Sequence, residues 1–357
     1  MGQKELLWQI KNSQKLLSIY EKWGEDSQQE FLNFCTGVRG IKFLYDSFFK
    51  EVMNPESTPE RLNNFLSLLL GKTVTVKTVL PNDSSRIADE SSLLITDIVV
   101  ELDTGSLANV EIQKIGYYFP GQRCACYGSD LLLRQYKRIR SEKGKKFSYK
   151  DIRDVYTIVL FEKSSAEFKN YPHQYLHIFS QRSNTGLEID FLQKYLLIPL
   201  DIFLDFYQNN NRIIHNKLEA WLLFLSSDQP EDILNLIKKY PEFQAMYNQA
   251  YQMCRNVEDI MGLFSEELRM LDQNTVQLMI DDMQRQIETK NLKKHRKSWM
   301  RLCTVFQNWN KNERKYSGVF STPLSAFAVL FTGHLSFLSF DHFLNHISAY
   351  RSVLSRC

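Results

Sequence analysis

Metal-ribbon cysteines are missing from this sequence. Its six cysteines, Cys35, Cys124, Cys126, Cys254, Cys303 and Cys357, contain no CxxC pair, which excludes a zinc ribbon and leaves free thiols in a reducing compartment as the expectation. No run reaches the ~18 apolar residues of a membrane-spanning helix, and the opening MGQKELLWQIKNSQ lacks the apolar centre of a signal peptide. A cytoplasmic protein without membrane contact is therefore expected. Also missing are a Gly-rich phosphate loop, a Ser-His-Asp arrangement, a dinucleotide fingerprint, an internal repeat and a low-complexity linker. His342 and His346 stand four apart but have no Cys or carboxylate at matching spacing, so zinc is not expected there. Charge of one sign is scarce overall: the net value is +3, too small by itself to argue for a nucleic-acid partner.

What is present is an ordinary globular composition, 43% hydrophobic over 357 residues, enough for one large or two modest domains. Charge is uneven along the chain. From Thr289 to the end there are 11 Lys and Arg against Glu313 and Asp341 only, whereas Glu219 to Glu288 is richer in acids than in bases.

Periodicity predicts a peripheral helix from Lys4 to Gly24, a second over Phe43 to Met53, and a third after Thr58-Pro59, with Thr58 as cap and Gly71 as stop. Lys72 to Leu80 alternates with period two and reads as a strand. Phe119 to about Arg140 reads as a long helix buried through Leu131, Leu132, Leu133 and Tyr136, and Val155 to Phe161 and Tyr175 to Phe179 read as strands. Beyond Asp201 only helices are expected, through Leu218 to Leu225, Ile233 to Tyr240 and Pro241 to Glu288. The order implies an α/β fold with a mixed sheet, divided as an N-terminal helical segment (1–40), a core (41–200), a helical appendage (201–288) and a basic, then Phe- and Ser-rich tail (289–357).

The most informative stretch runs from Leu93 to Gln113. An Asp103-Thr104-Gly105 turn separates two strands, and paired positions in such a hairpin add to a constant. A turn centred on Thr104 makes Asp97 and Glu111 neighbours within a residue of register. Gln113 shares their face, while Val110 and Ile112 point to the other. Two carboxylates so placed can hold Mg2+, with the Ile112 carbonyl as a further oxygen ligand and Gln113 orienting a water. On the next helix Arg123, Tyr127, Asp130 and Arg134 form a polar stripe suited to lie beside the hairpin, where two arginines would neutralise a phosphodiester.

The stretch TDIVVELDTGSLANVEIQ, followed by Arg123 and by CYGSDLL with Tyr127, resembles the PD-(D/E)XK nuclease-family transposases of the Rpn-like, recombination-promoting group. Upstream, YDSFFKEV with Asp46, Phe49 and Lys50 resembles that family's D-x-x-F-K helix, and YTIVLFEKS, LQKYLLIPLDIF, KLEAWLLFLSS and ELRMLDQNTVQLMIDDMQRQIE extend the likeness over about Ile41 to Glu288. The resemblance implies a restriction-endonuclease-like mixed β-sheet flanked by helices, with Asp97 and Glu111 as metal ligands and Gln113 in the place of the motif lysine. Asp46 would bind metal through water or align the patch, with Glu90 a second candidate for that role. Lys50, Arg123, Tyr127 and Arg134 become the candidate DNA contacts.

The implied activity is Mg2+-dependent DNA cleavage, with Mn2+ able to substitute, linked to recombination or transposition. Two alternatives stand beside it: an inactive nuclease-fold protein that binds DNA or a partner, and a defence or toxin nuclease. Cutting both strands of a duplex needs two sites, which makes a homodimer attractive. In the tail, Lys290, Lys293, Lys294, Arg296 and Lys297 could contact phosphates, and Trp299 and Trp309 could stack on bases.

Overall fold

The computed structural model describes residues 2–80, 98–114, 120–254, 256–268 and 289. The chain divides into two compact units, 1–284 and 285–357, and the fold described below is that of the first. Asp97, Glu90 and the basic and aromatic residues of the tail lie outside the described residues.

Helices α1 (Gln3–Lys11), α2 (Gln14–Tyr20), α3 (Glu25–Cys35), α4 (Asp46–Val52) and α5 (Pro59–Leu70) precede strands β1 (Val76–Leu80), β2 (Ile98–Leu102) and β3 (Leu107–Gln113). Helix α6 (Pro120–Lys143) crosses to β4 (Val155–Phe161), which is followed by α7 (Ala166–Lys169), β5 (His177–Phe179) and β6 (Gln193–Pro199). Helices α8 (Leu200–Asn209), α9 (Lys217–Ser226), α10 (Pro230–Lys239) and α11 (Phe243–Gln252) follow, and residues 257–268 are helical (α12). The sheet order is β1-β2-β3-β4-β6-β5, with β3, β4 and β6 parallel and the other pairs antiparallel. This mixed sheet between helical layers is the α/β, restriction-endonuclease-like arrangement that the sequence implies.

Alternation along the strands divides the core in two. Ile98, Val100, Ala108, Val110, Ile158, Leu160, Leu196 and Ile198 form one face. They share a single apolar cluster with Leu6 and Ile10 of α1, Phe48 and Phe49 of α4, Phe65 of α5, Trp221 and Phe224 of α9, and Phe264 of α12. The opposite face, which carries the odd-numbered residues of β2, β3 and β4, is covered by α6 through Leu131 against Val99, Leu107 and Val155.

Several local expectations change. The first helix is two, because the Ser13 side chain accepts the N–H of Leu16 and starts α2 afresh, and Leu6 and Ile10 are buried rather than peripheral. Gly24 stands at the head of α3, a helix that periodicity does not reveal. Thr58 forms no side-chain cap on α5; its hydroxyl donates instead to the carbonyls of Val52 and Asn54. Gly71 ends α5 at φ 63°, a left-handed conformation that glycine tolerates without a Cβ clash. The sheet ends with β6 at Pro199 and α8 follows it, in keeping with helices only beyond Asp201, although neither element stands out singly, since LLIP and its continuation form a short apolar run with no period of its own.

Helix α6 differs most in its orientation. Its buried positions are Cys124, Tyr127, Gly128, Asp130, Leu131, Gln135 and Ile139, whereas Leu133 is 45% exposed. The helix thus turns Tyr127 and Asp130 of its polar stripe toward the sheet together with Leu131, and of the leucine triplet Leu133 points out to solvent. A glycine permits the approach: a Cβ on Gly128 would meet the Tyr195 hydroxyl at 2.9 Å.

Candidate metal and phosphodiester site

The β2–β3 hairpin builds the site. Leu102 and Ser106 close the turn, with the Leu102 N–H donating to the Ser106 carbonyl at 2.8 Å, and Gly105 takes the positive φ of 79° that the turn requires. The pairs Ile98↔Val110, Val99↔Asn109, Val100↔Ala108 and Glu101↔Leu107 share one pairing sum, the same one that an Asp97–Glu111 pair needs. Asp97 itself lies outside the described residues, as does Glu90.

Glu111 is 6% exposed, and a carboxylate withdrawn from water needs partners. The Tyr127 hydroxyl donates to its Oε1 at 3.1 Å, and the Arg123 Nη2 donates in turn to the Tyr127 oxygen at 3.0 Å. The guanidinium also stands 5.9 Å from the Tyr127 ring centre. Burial pushes the Tyr127 hydroxyl above its ordinary pKa, with the Glu111 charge adding and the Arg123 cation opposing. It therefore stays a proton donor to the carboxylate. Arg134 pairs with Asp130 one turn further along α6, Nε to Oδ2 at 2.7 Å.

Gln113 is 1% exposed, and neither its amide oxygen nor its amide nitrogen has a hydrogen-bond partner among the described residues. Two further buried polar side chains on this face, Asn109 and Thr157, stand opposite each other across β3 and β4 and are likewise without partners among the described residues. Sequence reasoning passed over both. Asn109 could have been found, because it has the same strand parity as Glu111 and Gln113.

The next residue, Lys114, does not supply the cation that Gln113 lacks. It pairs with Glu267 of α12 and stands 5.9 Å from the Tyr45 ring centre, on the α4 side of the sheet. Glu267 Oε2 also accepts the Asp46 N–H at 3.2 Å. Burial raises the Glu267 pKa, with the Lys114 cation and the Asp46 N–H acting against it. The Asp46 carboxylate pairs with Lys50 at 2.9 Å, so these two residues meet each other, and α4 packs into the apolar cluster on the face away from Glu111.

The sequence profile of the PD-(D/E)XK nuclease family transposases matches residues 43–279, well over half of the chain. The chain belongs to that family. No curated protein and no solved structure matches it. Nucleases of this family generally use divalent metals and act on DNA. Among the described residues no three His, Cys, Asp or Glu side chains cluster as a ligand set, and no helix is long and apolar enough to cross a membrane. The chemistry of the described donors nevertheless fits a hard cation: a buried carboxylate and an unpartnered amide two residues apart on one strand, both oxygen donors.

Proposed function

We propose that the chain is a metal-dependent DNA endonuclease that hydrolyses phosphodiester bonds in recombination or transposition, with Mg2+ as its natural ion and Mn2+ as a substitute. The observation that carries this reading is the buried Arg123–Tyr127–Glu111 chain of hydrogen bonds on the strand that ends in Gln113. Glu111 and Asp97 would hold the ion, with the Ile112 carbonyl as a further oxygen ligand. What the ion supplies when bound is a Lewis acid that neutralises phosphate charge and makes a water a better nucleophile.

The chain's own residues do the rest. Tyr127 fixes the Glu111 carboxylate, and the Gln113 amide accepts from a water and so orients it. Arg123, which is half-buried, neutralises the phosphate from the α6 side, with Arg134 and Lys50 as outer DNA contacts. Asp46 would align the patch through the Glu267–Lys114 link at the end of β3, and Glu90 remains a second acidic candidate. In this reading 41–200 is the nuclease-like core, 1–40 and 201–288 are helical segments on it, and 289–357 is a separate basic piece. The protein acts on DNA in the cytoplasm, as a homodimer if both strands are cut.

The test is nicking of supercoiled plasmid with Mg2+ or Mn2+. Wild type is expected to nick, and Asp97→Ala and Glu111→Gln to lose about 100-fold or more. Nicking by both variants at the wild-type rate, or nicking that survives chelation, would overturn the assignment.

A second reading keeps the fold and the DNA partner without efficient cleavage. It is favoured by one observation: the only lysine beside the motif, Lys114, is committed to Glu267 on the other side of the sheet. Under it, wild type nicks poorly and Gln113→Lys, which returns a cation beside Glu111, raises the rate. If cleavage is instead efficient and harmful to the host, expression toxicity that disappears in Asp97→Ala marks a defence or toxin nuclease.

A further inference from the structure

On the same sheet face as Glu111, and under the same helix, lies a cavity of about 830 Å3, within the size range of small-molecule pockets. Its walls are aromatic: Tyr171, His177, Phe179 and Tyr195 line it, and the amides of Gln122 and Gln181 stand among them. The rings are braced by contacts of their own. His177 meets Phe168 at 5.2 Å and Tyr171 at 5.7 Å, both edge to face, and its Nε2 is 3.1 Å from the Gln174 carbonyl. Among the described residues the lining holds one carboxylate, Glu167, and no Lys or Arg. Such a pocket suits a flat, uncharged ring with hydrogen-bonding edges and repels a phosphate.

Its position relates it to the proposed cleavage site. Glu111 pairs with Val159, and Val159 pairs with Leu197, which lines the cavity. Two strand spacings, about 10 Å, therefore separate the carboxylate from the pocket wall. Cys124 of α6 lines the cavity, and its neighbour Arg123 reaches the Glu111 side. A nucleotide whose phosphate lies by Arg123 can place a neighbouring base here.

We propose that this cavity binds an unpaired nucleobase of the DNA substrate, so that the enzyme acts on single-stranded or locally opened DNA. The proposal rests on the nuclease reading of the Glu111 site. Aromatic side chains stack on any base because every base has a π-face, and an opened duplex gives up a base to a pocket of this kind at the cost of unstacking it. The amides of Gln122 and Gln181 offer donors and acceptors to the edge of the base.

The experiment measures binding, not cleavage, with the full chain in EDTA. A fluorescein-labelled single-stranded oligodeoxythymidylate and a duplex of the same length are titrated with wild type, Tyr171→Ala, Phe179→Ala and Tyr171→Phe, and read by anisotropy. Tyr171 and Phe179 are 57% and 48% exposed, so truncating either leaves the core intact. Wild type is expected to prefer the single strand. Each alanine variant should lose about 5- to 150-fold on it, with little change on the duplex, and Tyr171→Phe should bind as wild type does. Equal single-strand affinity in all four proteins, no wild-type binding, or an equal loss on both DNAs overturns the pocket. Nicking is assayed separately on the same wild-type preparation with Mg2+, so that binding and cleavage are read independently. A wild type that binds through Tyr171 and never nicks therefore contradicts the nuclease reading and not the pocket.

Discussion

A carboxylate held under a helix keeps its direction only if something grips its oxygens. Glu111 is gripped by Tyr127, and Tyr127 by Arg123. A hydrogen bond to a charged group is worth about 1.5 to 3 kcal/mol, so Tyr127→Phe, which keeps the ring and removes the donor, should loosen the ligand without unfolding α6. The expected result is a roughly 10-fold or greater loss in Mn2+ affinity with the helical circular dichroism kept and a melting temperature lower by only a few degrees, read by titration and circular dichroism on the same preparation. An unchanged affinity would mean that Tyr127 only fills space. This role is not visible in the sequence, where Tyr127 is one member of a polar helical stripe. In the fold Tyr127 is buried against the sheet, which turns a candidate DNA contact into a brace for the Glu111 carboxylate.

At the scale of elements, the site depends on where α6 lies. Gln135 is fully buried and fixes the helix to the β2–β3 turn and to the segment that leads into β4: its amide nitrogen donates to the Gly105 carbonyl at 3.3 Å, and its oxygen accepts the Arg153 N–H at 2.7 Å. Gln135→Leu keeps the approximate volume and orphans both backbone groups. Both backbone groups are only part-buried, so each left unsatisfied falls at the low end of about 1 to 3 kcal/mol, and a loss of roughly 2 kcal/mol in urea denaturation is expected, together with weaker nicking. The hairpin was legible in the sequence because a tight Asp-Thr-Gly turn fixes the pairing sum and alternation fixes the faces. The inward side of α6 was not legible, because Leu131, Leu132 and Leu133 are consecutive and cannot all face one way, while the side that does face the sheet mixes Leu131 and Ile139 with the polar Tyr127, Asp130 and Gln135. Strand β6 does not stand out singly for a similar reason. The Lys114–Glu267 pair joins residues 153 positions apart, a distance over which one sequence carries no local signal.

Over the whole first unit, one apolar cluster takes in α1, α4, α5, one sheet face, α9, α11 and α12, so these elements should unfold together in a single transition. Lys42 is one of the polar clasps on this assembly, pairing with Glu30 of α3 at 3.1 Å and with Glu162 beyond β4 at 3.2 Å. Burial by itself would lower its pKa, but the charges of Glu162 and Glu30 outweigh burial and raise it. The folded value lies above the unfolded one. The stabilisation is therefore complete below the unfolded value and is lost as pH rises through the folded one. Because these side chains are partly solvated, its size is at most about 1 kcal/mol. The gap in melting temperature between wild type and Lys42→Met should be constant from pH 7 to about 10 and should shrink above that.

The central claim, that the end of the β2–β3 hairpin holds a divalent cation through Glu111, is tested most directly by calorimetric titration of the full chain with Mn2+. The account expects saturable binding by wild type, abolished in Glu111→Gln and in Asp97→Asn and retained in Lys50→Ala. Binding of equal strength and stoichiometry in wild type and Glu111→Gln would contradict it.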